Sequence, residues 1–296
     1  MILRFLFLIL LCICSVQSVE AGSDRWDAPL SQLRQTNKPL KVGIITGLAS
    51  EAEELVRQFE EGYTTTQSSL RDYHRGTLWG RDTVLVSSRC GKVAAAIAAT
   101  TLILQDHVDL VVVIGTAGAV DAGLHVGDIV VATSLLQHDL DSCPIIPRYT
   151  IPILRVRELQ PNPALQKMAV EAAETFVQKQ LRRCLSPGTI TDLGLGSPKV
   201  YSGLVATGDQ FLADQAQRAK LKAELPDLMC VEMESAAVGQ VCYEFGVPLV
   251  VIRTLSDSAD ARANVDIAKF TTSVAAVYSA QIIKNLYRVI TTTLAD

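Results

Sequence analysis

Four short segments of this chain place glycines or polar side chains at the end of an apolar run: TGLASE (46–51), SSRCGK (87–92), GTAGA (115–119) and TLSD (254–257). In open α/β sheets a ligand binds in the crevice beyond the carboxyl ends of the strands, so these ends are expected to converge. A fifth segment, VEMESAA (231–237), sets two carboxylates at a helix start that is otherwise apolar. The chemistry on offer is therefore proton transfer by Glu51, Glu234 and Asp257. Taken singly, Glu51 could serve only the dipole of a first helical turn, and Asp257 could only cap a helix. Other chemistries lack their spacing. There is no G-x-G-x-x-G after the first strand, no P-loop hydroxyl after Gly91-Lys92 and no G-x-S-x-G elbow. His138-Asp-Leu-Asp141 offers metal ligands at a strand end, but a structural or rim role suits so sparse a set better.

Strands and helices alternate around these segments. KVGIIT from Lys41 reads as a buried strand, and SEAEELVRQF as a helix with Ser50 as its N-cap and acidic residues in its first turn. Strand-like runs follow at 76–79, 83–87, 110–114 and 129–133. Residues 91–105 are apolar nearly all round and too long for a strand, which predicts a buried helix. Beyond a proline-punctuated loop at 143–152, a helix is expected over 161–179, a strand over 199–206, a helix over 231–244 and a strand over 247–254. Ala276, Ala280, Ile283, Leu286 and Ile290 form the stripe of a C-terminal amphipathic helix. With no repeat or internal linker, the pattern predicts one α/β domain over 41–296. Its expected architecture has three layers, a central mixed twisted sheet flanked by helices.

Composition narrows the partners. Of 296 residues, 49% are apolar and 20% charged, which excludes a disordered or fibrous chain. Lys and Arg total 27 against 31 Asp and Glu, so no basic excess exists for a nucleic-acid backbone or an anionic membrane. Aromatics at 5% argue against single-strand base stacking. Beyond the N-terminal run the cysteines are Cys90, Cys143, Cys184, Cys230 and Cys242, an odd number with no C-x-x-C pair. Most of them read as small buried hydrophobes, although an exported location would permit a disulfide.

The ordered set G-I-I-T-G-x-x-x-E, S-x-x-G-K-V-A-A-A, G-T-A-G-A-V, L-x-V-G-D-I-V-V, V-E-M-E-x-A-A and R-T-L-S-D-S-A-D resembles the nucleoside phosphorylase and nucleosidase superfamily. Within it, the set is similar to the methylthioadenosine/S-adenosylhomocysteine nucleosidases, from about Lys41 to Lys284. The resemblance implies that Glu51 activates water and that Asp257, oriented by Ser256, protonates purine N7. It implies that Glu234 grips the ribose 2′- and 3′-hydroxyls, with Met233 beneath the sugar and Ser88 near the ribose and attacking water. Phe211 would stack on the base, backbone near Leu212 would read the base edge, and Ile267 would wall the 5′-substituent pocket. The expected partner is a small nucleoside, with no cofactor, no metal and no nucleic acid, and the segment 136–141 would lie near a homodimer interface. The physics suits these roles. Breaking a ribosyl C–N bond leaves negative charge on the purine and positive charge on the sugar, which a protonated carboxyl and nearby carboxylates respectively offset.

The chain departs from the family pattern at Arg89, where a small residue is expected. A guanidinium there could bind phosphate and make the protein a phosphate-dependent phosphorylase. Against this, Ile114 stands where bacterial purine phosphorylases carry a phosphate-binding arginine, so hydrolysis is the expectation. A secreted nucleoside-binding or storage protein is the remaining alternative, and the joint presence of Glu51, Glu234 and Asp257 argues against it.

The N-terminus reads as an export signal. Arg4 precedes FLFLILLCIC (5–14), which is too short for a bilayer span of ~20 residues, and small residues follow up to Ala21. The expected layout is a signal peptide over 1–21, a polar tether over 22–40 and the domain beyond, with no membrane attachment after cleavage. N-terminal sequencing of protein from an expressing cell should therefore begin near Gly22; an intact Met1 in a cytoplasmic fraction would contradict export.

Overall fold

The computed structural model describes residues 39–257, 270–272 and 274–295. In chain order its elements are β1 (Val42–Thr46), α1 (Ala49–Arg57), β2 (Thr64–Ser68), β3 (Arg71–Leu78), β4 (Arg81–Ser87), α2 (Lys92–Leu104), β5 (Leu110–Ala119) and β6 (Ile129–Gln137). After a long loop come α3 (Pro163–Thr175), a π turn (Phe176–Gln180), α4 (Leu181–Cys184), α5 (Pro187–Asp192) and β7 (Val200–Thr207). The chain then forms α6 (Gln215–Glu224), β8 (Leu228–Glu232), α7 (Ser235–Phe245), β9 (Leu249–Asp257) and α8 (Ala275–Ala295).

The strands form one mixed nine-stranded sheet in the order β2-β3-β4-β1-β5-β8-β7-β6-β9, with β5 also paired to β9. β4, β1, β5 and β9 run parallel, so the loops after all four emerge at one edge. Near its end β5 changes partner. Its register on β9 shifts between Ala117 and Gly118, and Gly118 and Ala119 pair antiparallel with Val231 and Cys230 of β8. Strands β5, β9, β6, β7 and β8 thereby close into a ring beside the open β2-β3-β4-β1 wing.

Both faces of the central strands are covered, and alternate side chains go to opposite cores. Val42 and Ile44, Val112 and Ile114, and Val250 and Ile252 pack with α1, α3 and α8. Ile45, Val111 and Val113, and Leu249 and Val251 pack with α2 and α7. Each such fully buried Leu, Ile or Val contributes about 1.5–3 kcal/mol, which suffices to fix the layers without covalent staples. The five cysteines beyond residue 38 are all unpaired.

The expected three-layer α/β domain is the observed one, with several local differences. Residues 231–244 are not a single helix: Val231 and Glu232 end strand β8, and α7 begins only at Ser235. Leu48, not Ser50, is the N-cap of α1. Helix α2 buries Ala95, Ala98, Ala99 and Leu102 but leaves Val93 73% exposed, with Ile97 and Leu104 also outward. Strands β5 and β6 run to Ala119 and Gln137, beyond the predicted apolar cores, because glycine and small polar residues there keep extended pairing. The expected export signal, most of the expected tether and Ile267 lie outside the described residues.

Candidate active site

Glu51 lies in the first turn of α1 and is buried. Its Oε2 accepts from the backbone N–H of Gly47 at 3.0 Å and Leu48 at 2.9 Å. Its Oε1 accepts from the backbone N–H and the hydroxyl of Thr116, both at 2.8 Å. Four donors thus surround one carboxylate, drawn from the ends of β1 and β5. Gly115 makes that approach possible, since a Cβ there would lie 2.8 Å from both Glu51 Oε2 and Arg253 Nη1.

Arg253, on β9 and 1% exposed, is the cation at the centre of the site. Its Nη2 donates to Glu232 and lies 3.4 Å from Glu234 Oε2, while Nε and Nη2 reach the Ser235 hydroxyl at 3.1 and 2.9 Å. The two carboxylates of the VEME segment divide the work. Glu232 accepts from the backbone N–H of Glu234 at 3.0 Å and of Ser235 at 2.8 Å, and from the hydroxyls of Ser235 and Thr207. It is the anion that holds the start of α7, where the helix dipole favours negative charge. Glu234 receives much less: one backbone N–H from Gly91 at 3.2 Å and the long Arg253 contact. Burial, and then the neighbouring Glu232, push its carboxyl up to about 7, against the opposing pull of Arg253. A Cβ on Gly47 would lie 3.4 Å from Glu234 Oε2 and 3.5 Å from Glu51 Oε2, so both carboxylates border the same small space.

Asp257 ends β9 and is buried. The Ser256 hydroxyl donates to its Oδ1 at 3.2 Å, with the Ala117 carbonyl at 3.4 Å as the other acceptor. Its Oδ2 pairs with Arg218 of α6 at 2.6 Å. The GDQFL loop at 208–212 reaches both ends of the site, through Asp209 beside Gly91 and through the Leu212 carbonyl on Arg218. Asp209 accepts from the backbone N–H of Lys92 at 2.7 Å and donates its own N–H to Asp139 Oδ2 at 2.8 Å, while Lys92 Nζ holds Asp139 Oδ1 at 2.6 Å. That network gives the QHDLD segment a purpose as the tie that fixes the loop. Among the described residues no group of three or more His, Cys, Asp or Glu side chains is arranged to hold a metal.

Glu51, Glu234, Ser256 and Asp257 thus share the edge where the parallel strands end. Met233 is half-buried in the turn between β8 and α7, Leu212 turns its side chain into a small core with Val120 and Leu136, and Phe211 is 57% exposed at the rim. Ser88 is fully buried and its hydroxyl bonds to the carbonyls of Thr46 and Arg89, so it braces the turn after β4. Arg89 has a left-handed backbone (φ 70°), and its guanidinium donates to the Leu70 carbonyl. There it lines an open cavity of about 620 Å³ beside Leu48, Ala52, Ser87 and Cys90. Sequence reasoning assigned no role to Thr116, Arg253, Glu232 or Arg218. Thr116 and Arg253 stand inside the quoted motifs, whereas Arg218 carries no motif.

The family model described as "Phosphorylase superfamily" matches residues 41–288. A 5′-methylthioadenosine/S-adenosylhomocysteine nucleosidase of Anoxybacillus flavithermus is 35% identical over 240 residues, covering 81% of this chain and 95% of the relative. The solved structure of the nucleosidase of that name from Colwellia psychrerythraea, in complex with adenine, is 33% identical with a TM-score of 0.72, covering 85% of this chain and 96% of the other. The futalosine hydrolase of Helicobacter pylori is 27% identical with a TM-score of 0.71, covering 84% and 97% of the two chains.

Proposed function

Because the chain belongs to the phosphorylase superfamily, we propose that it hydrolyses the N-glycosidic bond of 5′-substituted adenosines. Methylthioadenosine and S-adenosylhomocysteine are the substrates, and adenine is released. The observation that carries this reading is the separation of carboxylates along the strand ends, with Glu51 and Glu234 around one space and Asp257 at the end of β9. In the proposed reaction the C1′–N9 bond breaks and its electron pair moves to the purine, whose N7 takes a proton from Asp257. Water adds its oxygen at C1′ and gives a proton to Glu51. Free adenine and the free 5-thio-substituted sugar leave, and the proton returns from Glu51 to Asp257 through solvent. Glu234 accepts from the ribose hydroxyls and, with Glu51, offsets the positive charge that grows on the sugar. Phe211 and the backbone at Leu212 supply the base platform, and Met233 the floor of the sugar. Ser88 holds the ribose loop in shape.

Water suits this nucleophile position better than phosphate does. The space is bordered by two carboxylates, which would repel a phosphate dianion. Arg253 is already engaged by Glu232, Glu234 and Ser235, Ile114 is buried in the core, and Arg89 points its guanidinium at Leu70. The cavity beside Leu48 and Cys90 lies past Glu51 on the side away from β9 and gives a 5′-substituent room to extend.

A homodimer and export complete the reading. The outward Val93 and Ile97 of α2 adjoin a groove lined by Ala237 and Val241 of α7, an apolar face that a second copy would cover. The apolar run at 5–14 supports export of the mature chain.

Three measurements test these statements. In phosphate-free buffer, the purified mature chain should release adenine and the free 5-methylthio sugar from methylthioadenosine. Added phosphate should neither accelerate the reaction nor yield a sugar 1-phosphate, and Glu51→Gln should lower kcat by about 10²–10⁴-fold. Activity that appears only with phosphate would make the protein a phosphorylase. The carboxyl of Glu234 is pushed up to about 7, and only its ionised form can accept from both ribose hydroxyls with both oxygens. KM for the nucleoside should therefore rise by up to about tenfold per pH unit below that value and level off above it; a flat KM across the window would remove Glu234 from ribose binding. Sedimentation at micromolar chain should find two copies per particle, and a single copy would refute the dimer.

A further inference from the structure

Arg218 is 2% exposed although α6, which carries it, has the mostly polar sequence QAQRAKLKAE. A guanidinium so deep must find partners for its fixed fork of donors, and it finds three from three different elements. Nε donates to the carbonyl of Leu212, Nη1 to the carbonyl of Ala119 at 3.0 Å, and Nη2 to Asp257 Oδ2 at 2.6 Å. The pair lies directly on the backbone of β5, because a Cβ on Gly118 would sit 3.1 Å from Arg218 Nη2 and 3.3 Å from both Asp257 oxygens. One side chain thus ties together the end of β9, the end of β5 and the loop that follows Phe211.

We propose that Arg218 is the positioning residue of the base subsite, holding the acid Asp257 in register with the loop backbone at Leu212 that meets the purine edge. The assignment rests on Asp257 being the group that protonates N7. It has two consequences. The planar fork matters as well as the charge, since a single ammonium cannot reach all three acceptors in their fixed directions. In addition, the 2.6 Å ion pair at Oδ2 couples Arg218 to the proton on Asp257, so removing the guanidinium should change the pH range over which the acid works. Among the described residues the titratable groups facing Asp257 are Arg218 from α6 and Cys230 from β8, whose thiol is pushed up by burial and then by Glu232. Among the described residues, β5 brings the backbone at Gly118 against it, and its own strand the Ser256 hydroxyl.

The test compares Arg218→Met, Arg218→Lys and Asp257→Asn in the full mature chain, following adenine release from methylthioadenosine across pH. Arg218→Met should move the alkaline limb of kcat/KM upward by about 1–3 pH units. Arg218→Lys keeps the charge and gives up the fork, so it should leave that limb in place and lower kcat by about tenfold to a hundredfold. A purely structural arginine would move neither the limb nor the split between the two variants. An unmoved limb in Arg218→Met, or wild-type kcat in Arg218→Lys, would overturn the assignment; if the Met variant does not fold, the Lys variant decides alone. Asp257→Asn separates the two levels. If it turns over normally, the acid role falls and Arg218 with it; if it is inert while Arg218→Met keeps the wild-type limb, the Arg218 assignment alone falls.

Discussion

Burying three carboxylates around one guanidinium is the constraint on which this site depends. Glu51, Glu232 and Glu234 are all buried and all act on Arg253, so the cluster carries more negative than positive charge. Hydrogen-bond donors compensate unequally. Glu51 has four, supplied by Gly47, Leu48 and Thr116. Glu232 has the start of α7 and the closest contact with Arg253. Glu234 has one backbone N–H and a distant guanidinium, and it is the carboxyl pushed up to about 7. Glu234 is therefore the carboxyl of the cluster that most readily takes up a proton, and two ribose hydroxyls would supply the donors it lacks.

The fold serves this arrangement by bringing parallel strands to one edge. Across the order β4-β1-β5-β9 the open cavity lies near the end of β4, Glu51 after β1, Thr116 on β5 and Asp257 on β9. A nucleoside spanning that edge would meet the acid at its purine, the carboxylates at its sugar and the cavity at its 5′ end. The shift of β5 from β9 to β8 at Gly118 closes the ring beneath Asp257, and Arg218 rests against that shift.

Much of this was legible in the chain. Polar residues closing apolar runs marked four of the strand ends, and Glu51, Glu234 and Asp257 do meet at that edge. Strand β8 was hidden because its five residues run almost directly into α7, and a short buried strand has no period of its own to separate it from a helix. Ser50 looked like an N-cap, whereas the turn is held by the side chain of Glu51 reaching back to Gly47 and Leu48. Helix α2 looked buried because alanines and aliphatic residues alternate around it, yet only its alanine side faces the core. Arg218 could not be found by pattern, since a buried arginine in a polar helix differs from a solvated one only through its tertiary partners.

The central claim is that the strand-end carboxylates divide the nucleoside between them, base to Asp257 and sugar to Glu234 and Glu51. A crystal structure of the protein with a non-hydrolysable 5′-thio-substituted adenosine analogue tests it most directly. Purine N7 should lie at hydrogen-bond distance, roughly 2.7–3.2 Å, from the Asp257 carboxyl, with Oδ2 still on Arg218. The ribose hydroxyls should rest on Glu234, and a water held by Glu51 should face C1′. A purine turned away from Asp257, or an anion in place of that water, would contradict the account.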